Sequence, residues 1–175
     1  MKKIIVGIII CILAICVLAF CRRGTNDVSL EFNNFIRNER VEDLTLEIYC
    51  ISPYTLTTIP ISAEMLKQDP DTTKCVIQGE DLSRFIDTIS KEQDKFIRVD
   101  HKASYIDARM YYVLESRKNG KLVEVVMWGG DGDDWSIFFN GIEIKENKIL
   151  YDVVMPFLPE NVAAKWELFR DVHFD

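Results

Sequence analysis

The chain has 175 residues, of which 48% are hydrophobic, enough apolar material for one genuine core, so intrinsic disorder is excluded as the default. Of its 21 basic residues, Lys2, Lys3, Arg22 and Arg23 flank an apolar N-terminal block, leaving 17 against 28 acidic residues, a balance of −11 for the body. A body that negative repels phosphate backbones and anionic headgroups, which excludes nucleic acid as the expected partner.

Ile4 to Phe20 carries no charge and is interrupted only by Gly7. Eighteen residues rising 1.5 Å each span about 27 Å, close to a bilayer core, so residues 4–21 are expected to engage a membrane. Lys2 and Lys3 form a short n-region, and residues 1–21 read as a signal anchor or signal peptide. Cleavage after Ala19-Phe20-Cys21 and lipid attachment at Cys21 or Cys16 are the alternatives, giving a secreted or lipid-anchored body. Phe20 and Ile15 are bulky where a lipidation site wants a small residue, which favours the uncleaved anchor. Basic residues on both sides leave the positive-inside rule undecided. The export-like n-region and a plausible cysteine pair place the expected body outside the cytoplasmic membrane, single-pass. Residues 22–41 read as a juxtamembrane linker, with Val28, Phe32, Phe35 and Ile36 at helical spacing.

Residues 42–175 are expected to form a single α+β domain: a mostly antiparallel sheet, a meander with two Asn-Gly hairpins, with helices packed on one face. Leu44, Leu46, Ile48 and Cys50 alternate with Thr45, Glu47 and Tyr49, the period of a strand with one buried side. Tyr54 to Ile61 carries Pro60, which suits an edge strand or a connecting arm. Ser62-Ala63-Glu64-Met65 is able to open a helical turn. Thr73 to Gln78 reads as a short strand. Leu82, Phe85, Ile86 and Ile89 make the i, i+3, i+4, i+7 stripe of a helix lying on the sheet.

Tyr105 to Arg117 and Lys121 to Trp128 flank Asn119-Gly120, a pair suited to a two-residue type I′ turn. That loop predicts Leu114 opposite Val125, Tyr112 opposite Met127, Val113 opposite Val126 and Tyr111 opposite Trp128, with Glu115 facing Glu124. A second hairpin is predicted from Trp135 to Phe139 and Ile142 to Ile144 around Asn140-Gly141. Ile149, Leu150, Val153 and Val154 form a stripe ended by Pro156, and Pro159 starts another with Val162, Trp166 and Phe169. Proline is tolerated in a first turn and not in a helix interior, so two short helices are expected.

Ile106, Ala108, Met110, Tyr112 and Leu114 form the predicted inward face of the first hairpin. The outward set, Tyr111, Val113, Val126 and Trp128, is apolar too, so either the C-terminal helices cover it or it is an aromatic binding patch with an acidic rim. Cys50 and Cys75, both on apolar sides of strands, are the disulfide candidates; closing their 25-residue loop would stabilise an exported fold by about 3 kcal/mol. Their alternative is two buried free thiols. Gly129 to Asp134 interleaves Asp131, Asp133 and Asp134 with glycines, a candidate weak Ca²⁺ loop whose ligand spacing departs from an EF-hand; the plain reading is a solvated loop. Asp100, His101, Ser104 and Asp107 read as an ordinary loop before a strand. No nucleophile elbow, P-loop, dinucleotide fingerprint or zinc motif is present, so no other cofactor is expected.

The order of elements has the look of small exported bacterial proteins, and no motif specifies a family. The absence of enzyme motifs favours a membrane-anchored extracytoplasmic module that binds a protein or peptide without catalysis. The alternatives are a hydrolase with a site not recognisable from motifs, metal-assisted at Asp131 to Asp134, and an assembly subunit using the anchor itself.

Overall fold

The computed structural model describes residue 36 and residues 39–92, 96–99, 106–128 and 136–174. The expected anchor, most of the linker, Asp100 to Ser104 and the carboxylate loop of Asp131, Asp133 and Asp134 lie outside these residues. Among the described residues no helix is long and apolar enough to cross a membrane.

The domain is α+β. Six strands form one antiparallel sheet in the order β2-β1-β3-β4-β5-β6. They are β1 (Leu44–Cys50), β2 (Thr73–Gln78), β3 (Ala108–Ser116), β4 (Gly120–Trp128), β5 (Ile137–Phe139) and β6 (Ile142–Ile144). The helices are α1 (Ala63–Gln68), α2 (Leu82–Glu92), α3 (Ile149–Asp152) and α4 (Glu160–Phe174). β1 buries Leu44, Leu46, Ile48 and Cys50 on one face, as its alternation predicts. α2 buries Leu82, Phe85, Ile86 and Ile89 against that face, so the helical stripe and the strand period meet in one core. Pro156 stands in a single 3₁₀ turn (Met155–Phe157) after α3, and α4 begins just after Pro159, so the two prolines divide the tail as expected. Trp166 and Phe169 of α4 pack with Tyr151 in the same core.

Helices lie on both faces rather than one. α1 covers part of the opposite side, where Leu66 (fully buried), Ile51 and Ile61 pack on Tyr49, Tyr111, Val113 and Val126. Tyr111, Val113 and Val126 are therefore a second, smaller core. Their cover is α1 and the chain before it, not the C-terminal helices expected there, because Trp166 and Phe169 are taken up by the larger core.

The two Asn-Gly hairpins close differently. Around Asn140-Gly141 both residues have positive φ (49° and 76°) and Phe139 pairs Ile142, the predicted two-residue I′ turn. Around Asn119-Gly120 three residues form the loop: Ser116 pairs Gly120, and Gly120 has φ 71°. Ser116 Oγ accepts from the amides of Lys118 (3.1 Å) and Asn119 (3.3 Å), and the Asn119 side chain donates to Glu39, which holds this wider loop. The register consequently differs from the expected one by three residues beside the turn. A shift between the Leu114 and Glu115 pairs, which leaves Leu122 as an extra residue on β4, reduces this to two beyond it, where Leu114 faces Val123, Tyr112 faces Val125, Tyr111 faces Val126 and Val113 faces Glu124. Glu115 now stands opposite Lys121, replacing the unfavourable Glu115–Glu124 pair with one of opposite charge. A second shift, between Ala108 and Met110, leaves Arg109 as an extra residue on β3. Upstream of that bulge the alternation inverts, so Ala108 joins the smaller core and Ile106 is 37% exposed instead of inward.

Candidate binding groove

At the end of the sheet formed by Cys50, Met110 and Thr73, the chain leaves β1 and runs as an arm, residues 51–61, before entering α1. It contributes no strand: Pro60 removes a ladder donor, and the connecting-arm alternative holds. The arm is fixed at both ends. Ile51 N donates to Arg109 O (3.0 Å), inside the β3 bulge, and Ile51 O accepts from Trp166 Nε1 (3.2 Å). At the far end, Ile61 N donates to Asp107 Oδ1 (2.8 Å) and Ile61 O accepts from Ala108 N (2.6 Å). Between them, Arg109 Nη2 donates to Thr57 Oγ1 (3.0 Å) and to Asp107 Oδ2 (2.7 Å), while Arg109 Nη1 forms an ion pair with Asp107. Arg109 is only 3% exposed, so this pair is strengthened by low dielectric and is costly to break.

The pinned arm leaves a groove of about 500 Å³ between itself, the loop after α1 and the first turns of α4. Ile51, Leu56, Ile61 and Val162 supply its apolar lining. Ser52, Thr55, Thr57 and Thr73 add hydroxyls, Asp69 and Asp71 stand on one wall, and Asn161 and Lys165 on another. The acidic wall is shaped locally: Asp71 N donates to Asp69 Oδ1 (2.8 Å), and Thr72 Oγ1 donates to Leu66 O (2.7 Å), turning the chain from α1 into β2. Tyr54, Leu56 and Ile59 are 53%, 86% and 60% exposed, an apolar strip along the arm. The groove lining is thus more polar than apolar, and it offers hydroxyls, carboxylates and an ammonium as hydrogen-bonding and charged partners beside the exposed apolar strip. The lining contains no histidine or cysteine. Among the described residues no group of three or more His, Cys, Asp or Glu side chains is placed to hold a metal ion.

The residues singled out from sequence fall elsewhere. Tyr111, Val113 and Val126 are brought together on the smaller core, 1%, 3% and 8% exposed, and so are not a free patch. Tyr111 Oη donates to Glu124 Oε1 (3.0 Å), and Lys67 Nζ lies 4.5 Å from the Tyr111 ring centroid, closing that core with a cation–π contact. Burial, with Glu124 beside it, pushes the Tyr111 phenol well above its ordinary range. Trp128 ends β4 opposite Ala108. Asp131, Asp133 and Asp134 lie outside the described residues.

Cys50 and Cys75 are free thiols. The register sets Cys75 opposite Ile48 and Cys50 opposite Thr73, so the cysteines are diagonal neighbours. Diagonal positions are about 7–8 Å apart, whereas a disulfide wants Cα atoms within about 4.4–6.8 Å. The expected bridge is not made; of the alternative, two buried free thiols, both are free, Cys50 is buried and Cys75 is half-buried. Burial, then the proximity of Cys75, raises the Cys50 thiol to about 12.

The groove itself was not legible beforehand. From sequence Asp107 reads with Asp100, His101 and Ser104 as ordinary loop; the available signal is its spacing from Arg109, two residues apart at a strand entry, where a bulge turns both side chains toward the arm. A scan against protein-family models, a search of curated proteins and a search of solved structures each found no match to this chain.

Proposed function

We propose that the protein is an extracytoplasmic module, held at the cytoplasmic membrane through residues 4–21, that binds a protein or peptide partner noncatalytically in the groove beside the arm. One observation carries this reading. The chain enters the domain through the turn Val41–Asp43, beside Ser116, while the groove opens at the other end of β1. The seven residues of β1 separate the two ends by about 20 Å. A tether attached at the first end leaves the second free for a partner. Glu39 supports the same reading: it accepts from Ser116 Oγ (2.6 Å) and from the Asn119 side chain, clasping the incoming chain to the hairpin turn. Those hydrogen bonds, the Ser116 one foremost, hold the Glu39 carboxyl below its usual range.

The test is photocrosslinking in intact cells with a photoreactive residue at Leu56, and at Arg117 on the opposite end as control. A discrete adduct from Leu56, lost on Lys165→Glu and absent from Arg117, is expected. Equal adducts from both positions, or none from Leu56, overturn the groove as the binding site. External protease on spheroplasts tests the compartment: the body is expected to be cut, and its full protection overturns the extracytoplasmic assignment.

A further inference from the structure

The two edges of the sheet are treated differently. Along β6, Val99 N donates to Glu143 O (3.0 Å) and Lys145 N donates to Ile97 O (2.7 Å), with a bridge between Arg98 and Ile144, so residues 97–99 cover that edge. β2 pairs with β1 on one side and, among the described residues, with no strand on the other. A strand offers backbone donors and acceptors to both sides, and proteins usually blunt such an edge with proline, a bulge or several charges. β2 has neither proline nor a register shift, and its one charged residue, Lys74, is paired with Glu47 on β1 (3.0 Å). At its centre Val76 is 51% exposed.

We propose that this edge is a self-association surface, in which β2 pairs antiparallel with β2 of a second copy about a two-fold axis at Val76. The side chains select both the occupant and the register. A two-fold perpendicular to the sheet pairs residues of one face with each other. Centred on Val76, it sets Val76 against Val76 of the second copy, Cys75 against Ile77, and Lys74 against Gln78. Every pair is then apolar with apolar or cationic with neutral polar, and no like charges meet. Centred instead on Cys75, it would set the Lys74 ammonium against Val76. The two six-stranded sheets become continuous, and the half-exposed valine is covered.

Register-resolved crosslinking of the full chain in membranes tests this. Cys11, Cys16, Cys21 and Cys75 are replaced by serine, buried Cys50 is kept, and single cysteines are introduced by Val76→Cys, Lys74→Cys and Gln78→Cys before copper-catalysed oxidation. The expected result is a disulfide-linked homodimer from Val76→Cys, and loss of it to background for Lys74→Cys or Gln78→Cys alone. Co-expression of the last two restores the dimer, because each places its thiol opposite the other across the axis. No homodimer from Val76→Cys overturns the proposal, as does equal crosslinking by Gln78→Cys alone. An adduct of Val76→Cys solely with a different protein also overturns it and assigns the edge to that partner. None of these outcomes depends on the groove.

Discussion

The two faces of the sheet are held by different physics. On one, β1, β3, β4 and β5 contribute an unbroken apolar surface that α2, α3 and α4 cover, with Phe85 edge-on to Tyr112 and Phe96 against Phe139. On the other, a small cluster under Leu66 gives way to ion pairs and to the Arg109–Asp107–Thr57 contacts that pin the arm. Apolar burial is additive over area and tolerant of detail, whereas a buried ion pair depends on both partners being present. The groove is bounded by the second kind of contact, so the part of the molecule proposed to meet a partner is also the part whose stability rests on a few specific bonds.

Substitutions on the two faces separate these regimes. Phe139→Ala, in the large core, is expected to cost about 4 kcal/mol in urea unfolding and to speed amide exchange throughout the sheet. Asp107→Ala strands the Arg109 guanidinium and is expected to cost about 3 kcal/mol; adding Arg109→Met recovers most of that loss, because an apolar residue does not need the missing carboxylate. Leu66→Ala costs about 2–3 kcal/mol, and its effect on hydrogen exchange concentrates at the Ile61 and Ala108 amides that close the arm. Exchange accelerated equally across the sheet by Leu66→Ala and Phe139→Ala would mean that the faces open together and that the arm is no separate unit.

Within the large face, a smaller contrast runs from interior to edge. Cys50 is fully buried on β1 and its thiol is raised to about 12, while Cys75 on the edge strand is half-buried with its thiol raised by burial alone. The thiolate is the reactive species, so alkylation at pH 8 without reductant is expected to label Cys75 well before Cys50. Labelling of neither until reductant is added would establish a bridge and require a shifted β1–β2 register. A thiol raised on folding favours the native state below its ordinary value of 9.0, and that contribution fades as pH rises toward about 12.

What was legible in the sequence follows from which alternatives its pattern distinguishes. β1, β2 and α2 were readable because a one-residue slip would turn Leu46 or Phe85 to water. The register of the first hairpin is not legible because, beyond the shift beside its turn, the strands slip by two residues, which leaves each side chain on the same face: Leu114 is buried whether it meets Val125 or Val123. Hydrophobic alternation is silent between those registers. Local chemistry decided, through the Ser116 hydroxyl and the exchange of a Glu115–Glu124 clash for Glu115–Lys121. Asn140-Gly141 was read correctly because nothing competes with its I′ turn, and Asn140 Oδ1 accepts from Glu124 N (2.7 Å) in that geometry. The groove escaped for a further reason. It is made by residues 57, 61, 107 and 109 meeting across some fifty positions of chain, and no local period records such a meeting.

The smallest effect expected is on the second face, where Tyr49 Oη donates to Glu47 Oε2 (2.6 Å) and Lys74 Nζ approaches both the Glu47 carboxylate (3.0 Å) and the Tyr49 ring (5.0 Å). The Tyr49 hydrogen bond, followed by Lys74, outweighs burial and lowers the Glu47 carboxyl. Burial, followed by the Glu47 hydrogen bond, raises the Tyr49 phenol. A lowered carboxyl contributes stability that is complete above its unfolded value of 4.5 and lost as pH falls through the folded one. A raised phenol contributes stability that is complete below 10.0 and lost as pH rises through its folded value. The pair therefore strengthens this face between those limits and weakens at both ends. Tyr49→Phe keeps the ring and removes the hydroxyl, so it is expected to flatten the pH dependence at the acid end and the alkaline end together. Glu47 is partly solvated, which holds the effect below about 1 kcal/mol at neutral pH. Unfolding midpoints measured from acid to alkaline conditions provide the check: an unchanged acid slope in Tyr49→Phe would show that Lys74 alone governs Glu47, and that this face relies on the ammonium and not on the buried phenol.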